Sequence, residues 1–255
     1  MELDLMDGIL LIFFGFFGSF INAIVGGGAL ITLPALMFVG LSPASAIATN
    51  KLAASMGNLT SSLTFFKAGK IDLKLIGPLL PFVFLLSMLG AWTVHLIDAE
   101  ILRPLIIVML ILALIYTWLK KDFGQDGKEK EITKKRKMIS IICILTIGFY
   151  DGFFGPGVGS FLIFAFVLMG LDFLKASGNA KLINLTSNLA ALSMFLYLGQ
   201  VQLIYGLVMG LSMIIGAYTG SRFALSKGIT FVRIVFIVTT ILLISKNIYD
   251  FFNMA

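Results

Sequence analysis

About ten apolar segments, separated by short polar stretches, make up almost the whole of this chain. They lie at about 8–25, 29–40, 43–66, 75–97, 101–119, 138–155, 159–171, 174–198, 201–222 and 229–250. Charged residues make up only 13% of the chain, whereas about a quarter is usual in soluble domains. Segments of this length and polarity predict an all-α polytopic membrane protein with the lipid bilayer as its surroundings.

The composition leaves little for metal or nucleophilic chemistry. There is one cysteine, Cys143, and one histidine, His95, and the apolar segments hold no paired carboxylates. We therefore expect no cofactor and no metal, and an intramembrane enzyme is only a remote alternative, since a serine nucleophile would have no base but His95. The net charge of +6 comes from short loops, so nucleic acid is not an expected partner.

The two halves of the chain repeat each other at one constant sequence offset, without gaps. The matched pairs include Lys51 with Lys181, Asn58 with Asn188, Gly27 with Gly157, Gly40 with Gly170, Gly90 with Gly220 and Arg103 with Arg233. Coinciding Lys, Asn, Arg and Gly residues are much less expected by chance than coinciding leucines. We predict an internal duplication, as in many transporters, with a first membrane repeat at 1–119, a polar linker at 120–137 and a second repeat at 138–255.

Equivalent loops of the two halves carry opposite charge character. The 67–74 loop is basic and its partner at 199–203 is neutral, whereas the acidic 98–100 loop has a basic partner at 222–227. The linker holds eight Lys or Arg against four Asp or Glu. By the positive-inside rule, the 67–74 loop and the linker are cytoplasmic and both termini are outside, which makes the two repeats inverted.

Segment 43–66 carries polar residues where a simple anchor would be apolar. Lys51, Ser55, Asn58 and Ser62 follow at helical spacing on one face, and a lysine at mid-membrane depth costs about 2.5–3.5 kcal/mol. We predict a substrate-binding site formed by this face and its counterpart in the second half, with Asn50, Lys51, Asn58, Lys181, Asn184 and Asn188. Alternatively, the lysines snorkel to headgroups or cap helix carbonyls, and the amides only join helices.

Two apolar segments, 29–40 and 159–171, are too short to cross the membrane. Twelve residues span roughly 18 Å of a hydrocarbon core of roughly 30 Å, and each segment follows a glycine-rich break. We predict short broken or re-entrant helices whose breaks line a cavity and whose N-termini favour an anion. The candidate glycines are Gly26, Gly27, Gly28 and Gly157, for which close helix packing is the alternative role.

Asp151 is the one carboxylate that we place inside an apolar segment. With Lys51 and Lys181 in the same cavity, two cations would face one anion, and a bound anion would offset the surplus positive charge. Asp151 could pair with one lysine, or it could exchange a proton during transport.

Residues 23–73 and 148–201, which include the glycine-rich breaks, the Asn50-Lys51 pair and the Asn179-Ala180-Lys181 triplet, closely resemble the TauE/SafE family of sulfite exporters and related permeases. The resemblance implies plasma-membrane export of sulfite, sulfoacetate or another small organosulfur or carboxylate anion, driven by the proton gradient. A passive anion channel is the alternative, and homo-oligomer formation stays open.

Overall fold

The computed structural model describes residues 3–119 and 133–226, and the regular elements within these ranges are all helical. The helices are α1 (Leu5–Val25), α2 (Ala29–Phe38), α3 (Pro43–Lys67), α4 (Leu73–Ile76), α5 (Leu80–His95), α6 (Ala99–Leu119), α7 (Lys134–Phe153), α8 (Val158–Met169), α9 (Phe173–Tyr197) and α10 (Leu203–Ser226), with a 3₁₀ turn at Gly77–Leu79 between α4 and α5. The predicted all-α membrane fold is confirmed.

The sequence offset between the halves recurs in the helix bounds. Helix α3 covers 43–67 and α9 covers 173–197, and each is followed by a glycine with positive φ, Gly69 at 66° and Gly199 at 67°. Polar N-caps stand at the equivalent positions Ser42 and Asp172. The same local signals therefore start and stop the central helix of each half. The inverted orientation of the halves in the bilayer stays a prediction.

Two predicted segments lie wholly or partly outside the described residues. The last apolar segment, 229–250, lies wholly outside them, and so does most of the predicted linker at 120–137. Within that linker, α7 already begins at Lys134, because the Thr133 hydroxyl accepts a hydrogen bond from the main-chain N–H of Arg136 and caps the helix.

Three helical stretches in the described part of the chain are long and apolar enough to cross a bilayer, at 5–25, 73–95 and 203–226. Their surfaces leave large apolar side chains exposed, among them Ile12, Phe82 and Leu211. Helices α2 and α8, with 10 and 12 residues, are the separate short helices that the glycine breaks predicted. Lipid is the solvent that suits such a surface.

Helices α3 and α9 lie at the centre and pack against each other. Helix α1 of the first half packs on α10 of the second, and α7 of the second half packs on α5 of the first, the equivalent pair. Glycines allow these close crossings, since a Cβ at Gly152 would overlap the main-chain carbonyl of Ser87 and one at Gly216 would overlap that of Phe16. Because α3 and α9 pack against each other inside these outer helix pairs, their polar faces are buried.

Candidate functional site

An amide network joins the two halves at the centre of the bundle. The Asn58 side chain donates to Asn184 Oδ1 at 2.5 Å, and the Asn188 side chain donates to the same oxygen at 2.6 Å. Asn22, on α1, donates to Asn58 Oδ1 at 3.0 Å. The four side chains come from three helices and are hydrogen-bonded to one another, so they hold α1, α3 and α9 in one register.

An ion pair lies beside this network. Lys51 Nζ is 2.7 Å from Asp151 Oδ1, and the two side chains are 1% and 3% exposed. The second carboxylate oxygen accepts hydrogen bonds from the Ser187 hydroxyl and, at 3.3 Å, from the Asn188 amide. Lys51 also donates to the main-chain carbonyl of Asp151. Pairing with a lysine was one of the two roles that the sequence left open for Asp151.

Lys181 has a different partner. Its buried ammonium donates to the main-chain carbonyl of Asn22, which also accepts the N–H of Gly26 at 3.0 Å. Asn22 lies in the last turn of α1, where a cation is favoured by the helix dipole. The structure gives Lys181 no carboxylate partner within residues 3–119 and 133–226.

The two lysines therefore make reciprocal caps. Lys51, in the first half, donates to a carbonyl in the last turn of α7, and Lys181, in the second half, donates to one in the last turn of α1. Of the alternatives drawn from the sequence, the structure shows the capping of helix carbonyls rather than ammonium groups at the surface. Capping does not exclude a substrate role for either residue.

The two glycine breaks pack directly against each other. A Cβ at Gly26, where φ is +78°, would overlap the backbone of Gly159 and Ser160, and the Ser160 hydroxyl donates to the Val25 carbonyl at 2.8 Å. Gly157 adopts a left-handed conformation, with φ at 82°, at the start of α8. Close packing is thus a visible role of the glycines at these breaks.

A small cavity lies between α3, α9 and the breaks. It is lined by Asn22, Gly27, Gly28, Ala29, Thr32, Asn50, Lys51, Ala54, Asn58, Asp151, Gly155, Gly159, Asn184, Asn188 and Met213. Its volume is about 20 Å³, which is room for one water molecule. Most of the predicted site residues are brought together here, while Gly26, Gly157 and Lys181 are not among the lining residues.

Asn22 is one of the lining residues that the sequence reasoning missed, and it is the one that bonds to the predicted residue Asn58. Its side chain bonds to Asn58, and its Oδ1 accepts the N–H of Gly28 at 3.4 Å. In the other repeat its equivalent is Gly152, so comparison of the repeats passes over it. An isolated amide in the apolar run before the first glycine break was the available signal.

An apolar-surfaced helical bundle with a buried polar site between broken helices is the architecture of a membrane transporter. Residues 11–247 match the family model described as "Sulfite exporter TauE/SafE", and the chain belongs to this family.

The curated relatives carry transporter names. The chain is 37% identical to the "Probable membrane transporter protein" of Haemophilus influenzae, over 92% of each chain. It is 36% identical to "Probable membrane transporter protein YfcA" of Escherichia coli K12, over 94% of this chain and 89% of the relative. It is 34% identical to "Probable membrane transporter protein ORF9" of Sinorhizobium sp, over 92% and 90%. No solved structure matches the chain.

Proposed function

We propose that the chain is a secondary transporter that exports small anions, such as sulfite, sulfoacetate or another organosulfur or carboxylate anion, across the plasma membrane with coupling to protons. The observation that carries this proposal is the buried cavity between the two halves, which Lys51 lines together with the amides of Asn58 and Asn188. An ammonium and amide N–H groups are the donors that an oxyanion requires. The family description, a sulfite exporter, supports the same substrate class.

Movement of one half against the other would admit the anion. The cavity holds about one water molecule, so the described conformation is closed to an oxyanion of four or more heavy atoms. Its walls come from both halves, with Asn50, Lys51 and Asn58 on α3 and Asn184 and Asn188 on α9. Separation of α3 from α9 would therefore open the site, as alternating access requires.

Asp151 is the group that we assign to proton coupling. Its carboxylate faces Lys51 from α3 and Ser187 and Asn188 from α9, and a proton taken up on an oxygen would cancel its negative charge. The ammonium of Lys51 would then lack a counter-ion, and an anion entering the cavity would restore the balance. Proton uptake and anion binding would thereby be linked.

The test is uptake of labelled sulfite into proteoliposomes with and without an imposed pH gradient. We expect saturable flux that responds to the gradient, and loss of this flux in Asn188→Ala and in the double variant Lys51→Ala/Lys181→Ala. Ser193→Ala is the control, since this serine lies on the exposed side of α9. Flux that does not saturate would indicate the channel instead. Equal flux in wild type and both site variants would show that the site is elsewhere.

A further inference from the structure

We propose that the Asp151 carboxylate occupies the anion position of the site in this closed conformation, and that a substrate anion binds by replacing it beside Lys51. The inference rests on the proposed function and names the chemistry that the site selects. A tethered carboxylate would act as a built-in competitor of the transported anion.

The donors around Asp151 are those that a free oxyanion would need. Lys51 Nζ lies 2.7 Å from one carboxylate oxygen, while the Ser187 hydroxyl and the Asn188 amide donate to the other. One ammonium and two neutral donors thus surround both oxygens of a buried group. A carboxylate, sulfonate or sulfite presents the same pair of oxygens, so it can accept the same bonds.

The space around the pair leaves no place for a second anion. The cavity has room for about one water molecule. Gly155, in the second break, closes over the pair with φ at +102°, and a Cβ there would lie 2.9 Å from Lys51 Nζ and 3.1 Å from Asp151 Oδ1. An entering anion must therefore displace the Asp151 carboxylate rather than bind next to it.

The exchange would also loosen the contact between the halves. Lys51 belongs to α3 in the first half and Asp151 to α7 in the second, so their ion pair ties the two halves together. A free anion on Lys51 would remove the side-chain ion pair with α7 and leave only the hydrogen bond from Lys51 to the main-chain carbonyl of Asp151. Binding would in this way be coupled to separation of the halves, and anions with two oxygens would be preferred over a halide, which cannot bridge the three donors.

Chemical rescue of Asp151→Ala in the purified full-length protein tests the inference. Removal of the carboxylate should lower the Tm and leave an empty place beside Lys51. Acetate or sulfite, at a concentration of about a hundred times its Kd for this variant, should then raise the Tm of the variant by about 5 °C or more. The shift in the wild type should be smaller. Chloride at equal ionic strength should not do so. The double variant Lys51→Met/Asp151→Ala is the matched control and should lose the rescue.

Equal shifts in wild type and Asp151→Ala, or rescue that survives in the double variant, would overturn the inference. If Asp151→Ala does not fold, Asp151→Asn keeps the shape, and calorimetry should show at least about tenfold tighter sulfite or acetate binding than in wild type, since the competing charge is gone. Equal or weaker binding would overturn it. If anions rescue Asp151→Ala but the wild type shows no sulfite flux in proteoliposomes, the proposed transport of sulfite is wrong and this inference stands. If the wild type shows flux but anions do not rescue the variant, this inference is wrong and the proposed transport stands.

Discussion

Lys51 and Lys181 occupy equivalent positions in the two halves, yet removal of their charges should destabilise the protein to different extents. Lys51→Met leaves the Asp151 carboxylate buried without its counter-ion, a change that typically costs about 3–5 kcal/mol. Lys181→Met leaves only the Asn22 carbonyl, which keeps the N–H of Gly26, so the loss is that of a charge at a helix C-terminus, about 0.3–2 kcal/mol. We expect the two variants to differ by at least about 1 kcal/mol, or about 2–4 °C in Tm.

Thermal unfolding in detergent can measure this difference. The loss of the helical circular-dichroism signal follows the transition in every variant, and it does not depend on the single cysteine, Cys143, which is only partly buried and could react with a thiol dye before unfolding. Lys67→Met, at an exposed lysine at the end of α3, is the control for loss of a surface charge and should leave the Tm nearly unchanged. Lys51→Met/Asp151→Asn should be more stable than Lys51→Met alone, because no unpaired carboxylate remains.

Equal Tm losses in the two lysine variants would refute this reasoning, and so would a larger loss for Lys181→Met. Additive losses in Lys51→Met/Asp151→Asn would show that the ion pair contributes nothing as a pair.

Three further predictions concern packing, the amide network and topology. Gly152→Ala should destabilise the protein by about 1–3 kcal/mol in thermal unfolding, because the methyl meets the backbone of α5. Gly77→Ala should not, because a Cβ there meets nothing within 4 Å among residues 3–119 and 133–226. Asn184→Leu leaves the Asn58 amide without its acceptor, whereas the Asn188 amide keeps the Asp151 carboxylate, so the protein should lose about 1–3 kcal/mol in thermal unfolding and sulfite flux should fall as well. In a background without the natural cysteine, a membrane-impermeant thiol reagent added outside intact cells should label His95→Cys but not Lys70→Cys, and the opposite pattern would reverse the predicted orientation.

The sequence was sufficient to predict the helices and the polar faces, because both depend on local spacing. Apolar runs gave the helix bounds to within a few residues, and steps of three and four placed Lys51, Asn58 and Asn188 on inward faces. The glycine-rich breaks likewise marked where α2 and α8 begin as separate helices. These features need no knowledge of how the halves meet.

The sequence left open that a lysine pairs with Asp151 or caps a helix carbonyl, but which lysine takes which partner could not be predicted, since it depends on contacts between residues far apart in the chain. Both ammonium groups cross to the other half, and their acceptors, Asp151 and Asn22, do not occupy equivalent positions of the two repeats. The two cations expected to face one anion have different partners: Lys51 is paired with the Asp151 carboxylate, and Lys181 lies at the C-terminal end of α1.

Under the proposed function, this asymmetry predicts one anion site per chain rather than one in each half. On the Lys51 side, Ser187 and Asn188 surround the Asp151 carboxylate, which we propose to be exchangeable. Lys181, by contrast, is bonded to a main-chain carbonyl that cannot leave, and it does not line the cavity. Calorimetric titration of Asp151→Asn with sulfite should therefore give a stoichiometry near one per chain, and Lys181→Met added to this variant should leave it unchanged. A stoichiometry of two, falling to one with Lys181→Met, would instead show that each half binds its own anion.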